Sequence, residues 1–218
     1  MMFFIKAKQK FSYERLTTKE IHQAIRYNDF INESLNSTNE TGDLKLNFKA
    51  FIYEQKTLGI NPGASYGSAK RWYPEEFAKV AVELSTEYDI IIFGGPNETD
   101  IAKDIERSLI IQGITNYQNL AGATSIPELI KHIAGLDLFI TGDSGPMHIA
   151  AAFQVPTVAI FGPTKDQETS QWMNEKSVIV KKNLDCQPCE FGGKYPKAFT
   201  SHYIGCPISM QCLKSVSC

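Results

Sequence analysis

Five side chains in this 218-residue sequence have types and spacings that could do chemistry: Lys70, Glu98, Asp143, Ser144 and His148. Three of them sit in the stretch TGDSGPMHIAAAF, residues 141–153. There an apolar segment ends, the chain passes through Gly, Asp, Ser, Gly and Pro, and a helical pattern resumes with Met147 and His148 on its first turn. One reading is purely structural: Gly142 and Gly145 supply permissive backbone angles, Asp143 or Ser144 caps, and Pro146 takes an early helical position. The other reading is a cradle for an anion. Backbone N–H groups at a helix start, with a cation nearby, offer positive potential without a metal. Lys70 and Arg71, at the end of NPGASYGSAKRW, supply the cation in front of another helical pattern, where it is slightly unfavourable for the helix itself. Glu98, closing FGGPNE, suits the hydroxyls of a ribose, whose protons a carboxylate accepts. Each feature has a bland alternative, since Glu98 also suits a helix N-terminus and His148 also suits helix packing. Their conjunction favours a site.

The elements that must carry these residues alternate in kind from about Gly59 onward. TLGINPGAS reads as a short strand ending in a turn, PEEFAKVAVELSTEY as a helix, and DIIIFGG as a buried strand. ETDIAKDIERSLI reads as a helix and YQNLAG as a short strand. SIPELIKHIAGL opens with Ser125 three residues before Glu128, a capping-box spacing. The strand LDLFI, the helix after the 141–145 turn and the strand PTVAIFG complete the series. Strands apolar on both faces, alternating with helices of about three turns, imply an α/β fold: a Rossmann-like, doubly wound parallel sheet. Ligands of such sheets bind outside the carboxyl ends of the strands, where all five candidate side chains fall. Residues 1–55 differ. FSYERLTTKEIHQAIRYNDFINESL reads as helical, NSTNETGDLK as a polar linker, and FKAFIYEQK as a further strand or helix. The expected division is therefore an incomplete N-terminal segment at 1–55, the sheet domain at 56–184 and a cysteine-rich tail at 185–218.

Composition narrows the function. A hydrophobic fraction of 43% with 21% charged residues is ordinary for a globular protein, and a net charge of -2 gives no basis for a nucleic-acid partner. No apolar run approaches the roughly 20 residues needed to span a bilayer, and MMFFIKAKQKF lacks the apolar core of a signal peptide. A cytoplasmic location follows as the expectation. No G-x-G-x-x-G follows a strand and no G-x-x-x-x-G-K-[ST] occurs, which argues against a dinucleotide fingerprint and a P-loop.

Taken together, NPGASYGSAKRWYPEEFAKVA, IIIFGGPNETDIA and NLAGATSIPELIKHIAGLDLFITGDSGPMHIAAAFQVPTVAIFGPT resemble the lipopolysaccharide heptosyltransferases of glycosyltransferase family 9. The resemblance covers residues 59–164 with ordered motifs and the rest more loosely. It implies the C-terminal, donor-binding half of a GT-B glycosyltransferase. The implied reaction moves heptose from ADP-L-glycero-D-manno-heptose to a heptose of the lipopolysaccharide core, with inversion and without a cofactor. By resemblance Lys70 meets the diphosphate and stabilises the leaving group, with Ser65 and Tyr66 on the same loop. Glu98 accepts from the ribose, Thr124 lies near the adenine, and Asp143, Ser144 and Gly145 surround the sugar and diphosphate, with His148 one turn in. Asp143 suits heptose hydroxyls better than phosphate, which its charge would repel. The implied partners are the ADP-heptose donor and a lipopolysaccharide core acceptor held by the family's other half. Membrane association would be peripheral at most, at the inner face of the inner membrane.

The departure from the family lies in the first 55 residues, where only FFIKAKQKFSYERLTTKEIHQAIRYNDFI resembles the end of the family's N-terminal half. The general base belongs to that half, so the chain is expected to bind nucleotide and to transfer little or no sugar alone. Two alternatives stand beside this: a non-catalytic nucleotide-sugar binding module, and a GT-B transferase for another nucleotide sugar. Exposed apolar surface is expected where the other half would pack. All five cysteines lie in the last 33 residues. Cys186, Cys189, Cys206 and Cys212 could ligate a metal, pair as disulfides or remain thiols. Relatives carry a similar tail without an implied metal, so the expected set of metal ligands is none.

Overall fold

In the strand Asp89–Ile92 and the residue after it, Ile90 and Ile92 pack on one side of a sheet, Ile91 and Phe93 on the other, and all four are buried. That period of two, apolar at every step, is what a strand covered on both faces requires. The computed structural model describes residues 8–13, 20–64, 70–185, 187–188 and 213. Six strands form one sheet: β1 (Thr57–Asn61), β2 (Asp89–Ile92), β3 (Tyr117–Asn119), β4 (Leu138–Gly142), β5 (Thr157–Ile160) and β6 (Ser177–Val180). Their order is β3-β2-β1-β4-β5-β6 and every neighbouring pair is parallel. The sheet is thus the expected Rossmann-like, doubly wound one. Connections run outward from β1 in one direction and from β4 in the other, so the crevice of the fold opens between the carboxyl ends of those two strands.

Helices α2 (Pro74–Leu84) and α3 (Thr99–Ile111) cover one face. Phe77, Ala81, Ala102, Ile105 and Leu109 pack there with Leu58, Ile60, Ile90 and Ile92. Helices α4 (Ile126–Ala134) and α5 (Gly145–Ala152) cover the other face, where Ile133, Leu136 and Ala150 meet Ile91, Phe93 and Phe139. Gly59 faces this second layer. A β-carbon there would collide with Leu136 and press on Phe93 and Phe139, so the missing side chain is what lets the layer close. The Ser125–Glu128 capping box forms as its spacing implies, with Glu128 bonded to the Ser125 N–H at 2.8 Å. β6, for which the sequence pattern made no separate provision, extends the sheet beyond β5.

The N-terminal segment is less regular than its sequence suggests. Only α1 (Gln23–Leu35) is helical within the described part of FSYERLTTKEIHQAIRYNDFINESL. FKAFIYEQK is neither strand nor helix. It forms no ladder and instead crosses the sheet domain by single contacts: the Phe51 N–H donates to Lys131 O at 2.8 Å, and the Tyr53 hydroxyl lies 2.7 Å from His132 Nδ1. Its backbone passes so close to Gly135 that a β-carbon on that glycine would overlap the Phe51 carbonyl. α1 is fixed at the other end of the segment. Arg26 pairs with Glu168 at 2.9 Å, with both side chains largely buried, and His22 Nε2 meets Ser170 O at 3.0 Å. Tyr27, Ile31 and Leu35, at helical spacing on α1, remain exposed together with Phe51 and Ile52. Leu213, from the tail, is fully buried against Gly162. Among the described residues no helix is long and apolar enough to cross a membrane.

Candidate functional site

The turn after β4 is built by close approach. Gly142 lies under the Lys70 carbonyl, where a β-carbon would come within 3.1 Å of that oxygen. Ser144, extended at φ -149°, is the N-cap of α5, but its side chain makes no capping bond. Its hydroxyl is 3.1 Å from Thr141 Oγ1 and accepts from Asn61 Nδ2 at 3.3 Å. The capping role that the sequence allows to Ser144 is therefore not the one its side chain takes. Gly145 is open: a β-carbon there would meet nothing within 4 Å. Asp143 is buried and accepts from Lys70 Nζ at 2.6 Å, so the carboxylate from the end of β4 and the ammonium from beyond β1 form one charge-balanced pair across the crevice.

Glu98 approaches from the end of β2. It closes a single 3-10 turn, Pro96–Glu98, and folds back so that Oε2 accepts from the Gly95 N–H at 2.7 Å. The residue is only 6% exposed, and Oε1 has no hydrogen-bond donor among the described residues. Arg71 lies 3.9 Å from that oxygen, with its guanidinium held by two bonds to Ala64 O at 3.2 and 3.3 Å. The carboxyl group occupies the volume in front of Gly63, where a β-carbon would fall on it. A buried carboxylate with one oxygen unsatisfied is costly, and it is kept where an incoming donor completes it.

These groups line a single cleft of about 620 Å³. Of the residues anticipated from sequence, Lys70, Glu98, Thr124, Asp143, Ser144, Gly145 and His148 all border it. Ser65 and Tyr66 lie outside the described residues, as do Cys186, Cys189, Cys206 and Cys212. Among the other lining residues, Asn61, Ile126, Leu129 and Thr169 carried no expectation of a site role. Asn61 had a legible signal, a polar residue closing an otherwise apolar strand. Thr169 had none, because α6 (Asp166–Thr169) reaches the cleft only through tertiary packing that includes the Arg26–Glu168 pair. Ile126 and Leu129 give the Thr124 end of the cleft an apolar wall of the kind a flat heterocycle needs. Burial holds the His148 imidazole below the usual histidine pKa; the Asp143 charge opposes that shift, while His22 and Lys70 reinforce it. Near neutral pH the ring is therefore uncharged. Among the described residues no group of three or more His, Cys, Asp or Glu side chains is arranged to hold a metal ion.

Comparison with known proteins places this geometry. Residues 13–196 match the family described as glycosyltransferase family 9 (heptosyltransferase). Lipooligosaccharide heptosyltransferase 2 of Campylobacter jejuni (strain NCTC 11168) is 45% identical over 197 residues, covering 87% of this chain and 61% of that protein. Among solved structures, ADP-heptose lps heptosyltransferase II of E. coli superposes with a TM-score of 0.57 at 31% identity, over 61% of this chain and 40% of that one. E. coli heptosyltransferase WaaC, solved with ADP, shares the fold with a TM-score of 0.57 at 18% identity, over 74% of this chain and 51% of that one. The chain thus spans less than two thirds of the length of these relatives.

Proposed function

Because the chain belongs to glycosyltransferase family 9, the heptosyltransferases, we propose that the cleft between β1 and β4 is the donor site of a heptosyltransferase II, binding ADP-L-glycero-D-manno-heptose. One observation carries this reading: a half-satisfied buried carboxylate at Glu98 and a charge-balanced Lys70–Asp143 pair border the same cleft, at the switch point of the sheet. Glu98 Oε1 takes the ribose hydroxyls. The apolar wall by Thr124 takes the adenine. Lys70 and the N–H of Gly145, at the start of α5, take the diphosphate, and Asp143, with Ser144 and His148, faces the heptose. The name of the E. coli structure at 31% identity, ADP-heptose lps heptosyltransferase II, supports the choice of adenine for this chain.

In the reaction, a hydroxyl of a core heptose attacks the anomeric carbon as the bond from that carbon to the diphosphate oxygen breaks. The configuration inverts and ADP leaves. Lys70 and the N-terminus of α5 stabilise the charge that grows on the diphosphate. The acceptor's proton goes to a general base that we assign to no described residue. Titration calorimetry with ADP, UDP and GDP tests the reading. Selective ADP binding is the expected result. Equal affinity for all three, or preference for UDP, would replace the adenine assignment with a different nucleotide sugar.

A further inference from the structure

Beneath the cleft lies a small polar network that joins the two strand ends. Asn61 is 3% exposed and Thr141 is fully buried, each at the last or next-to-last position of an otherwise apolar strand. Asn61 Nδ2 has three acceptors in reach: Gly63 O at 3.2 Å, Ser144 Oγ at 3.3 Å and Thr141 Oγ1 at 3.4 Å. Thr141 donates its hydroxyl proton to Gly142 O at 3.1 Å. With the Thr141 proton on Gly142 O, the 3.1 Å contact between the Thr141 and Ser144 hydroxyls uses the proton of Ser144. In that arrangement Ser144 Oγ spends its proton inward and accepts from Asn61. What remains for the cleft is an acceptor lone pair.

We propose that Asn61 and Thr141 are positioning residues that fix the hydrogen-bond polarity of Ser144, so that its hydroxyl reads a sugar hydroxyl of the donor and not a phosphate oxygen. Diphosphate oxygens carry no proton near neutral pH and cannot donate to Ser144, whereas a hydroxyl on the sugar can. The inference rests on the donor-site reading and refines it, because it says which part of the donor this residue senses. Two buried polar residues on central strands are costly placements, and the network gives both of them a purpose.

The test compares two ligands, ADP and ADP-heptose, by calorimetry on the full chain and reads the ratio of their dissociation constants. Thr141→Val keeps the shape of the buried side chain and removes the inward acceptor, which frees the Ser144 proton to turn toward the diphosphate. The advantage of ADP-heptose over ADP is expected to fall about tenfold, the effect of one hydrogen bond, and Thr141→Ser is expected to restore it. Ser144→Ala, on the cleft wall, is expected to lower the same ratio and serves if the strand substitution does not fold. Both ligands weakening by the same factor in Thr141→Val and Ser144→Ala would overturn the polarity assignment while leaving the donor site in place. Failure of the unsubstituted chain to bind either ligand would instead overturn the donor-site reading, and this inference with it.

Discussion

Glu98 and Asp143 are both buried acids at strand ends of one cleft, yet the protein treats them oppositely. Asp143 is neutralised internally, by Lys70 at 2.6 Å. Glu98 has one oxygen held by the Gly95 N–H and the other without a hydrogen-bond donor among the described residues, with Arg71 no nearer than 3.9 Å. The lesson is that residue type does not set the task of a carboxylate; its surroundings do. On the proposed reading, one end of the cleft takes neutral hydroxyl donors, and the other takes a ligand whose own negative charge shares the lysine.

The largest expected effect comes from filling the space that separates these environments. Gly63→Ala would put a methyl group onto the Glu98 carboxyl group. That group is the end of a flexible side chain and can turn away, so ADP binding should be lost with little change in melting temperature. Next is the charge-balanced end. Lys70→Ala removes the cation and leaves Asp143 unpaired in a buried position, so ADP affinity should fall about a hundredfold. Adding Asp143→Asn should recover part of that loss in calorimetry, because the repulsive charge goes as well.

The Glu98 end should respond more gently and more selectively. Glu98→Gln keeps the shape but weakens acceptance from the ribose, which should cost about tenfold for ADP and less for 2′-deoxy-ADP. Equal losses for the two nucleotides would break the contrast drawn between the two acids. The smallest effect concerns His148. Burial lowers its pKa, so the unfolded chain takes up a proton at the ordinary histidine value while the native chain does so only at lower pH. Stability therefore falls as pH drops through the ordinary histidine range. A melting-temperature series between pH 7 and pH 5 should flatten in His148→Asn.

Much of the sheet domain was legible because its signals are local. Continuous apolar runs such as DIII, glycine-ended turns and the Ser125–Glu128 spacing each report on a few neighbouring residues, and the structure keeps them. The candidate side chains were legible for the same reason: strand ends in a parallel sheet converge, so placing the strands placed the residues. Within the described part of residues 11–35 the helical reading holds for α1, and FKAFIYEQK became an irregular crossing, because that segment is held by isolated contacts with the sheet domain and not by its own periodicity. Thr169 and the network beneath Ser144 were not legible, since they depend on residues such as Asn61 and Thr141, eighty positions apart, meeting in space.

The contrast between the two ends makes one geometric claim, and a crystal structure of the chain with ADP would test it most directly. The expected result places a ribose hydroxyl within hydrogen-bond distance of Glu98 Oε1 and the diphosphate between Lys70 Nζ and the N–H of Gly145, with adenine against Ile126 and Leu129. ADP bound outside this cleft, or inside it with the diphosphate at Glu98, would contradict it.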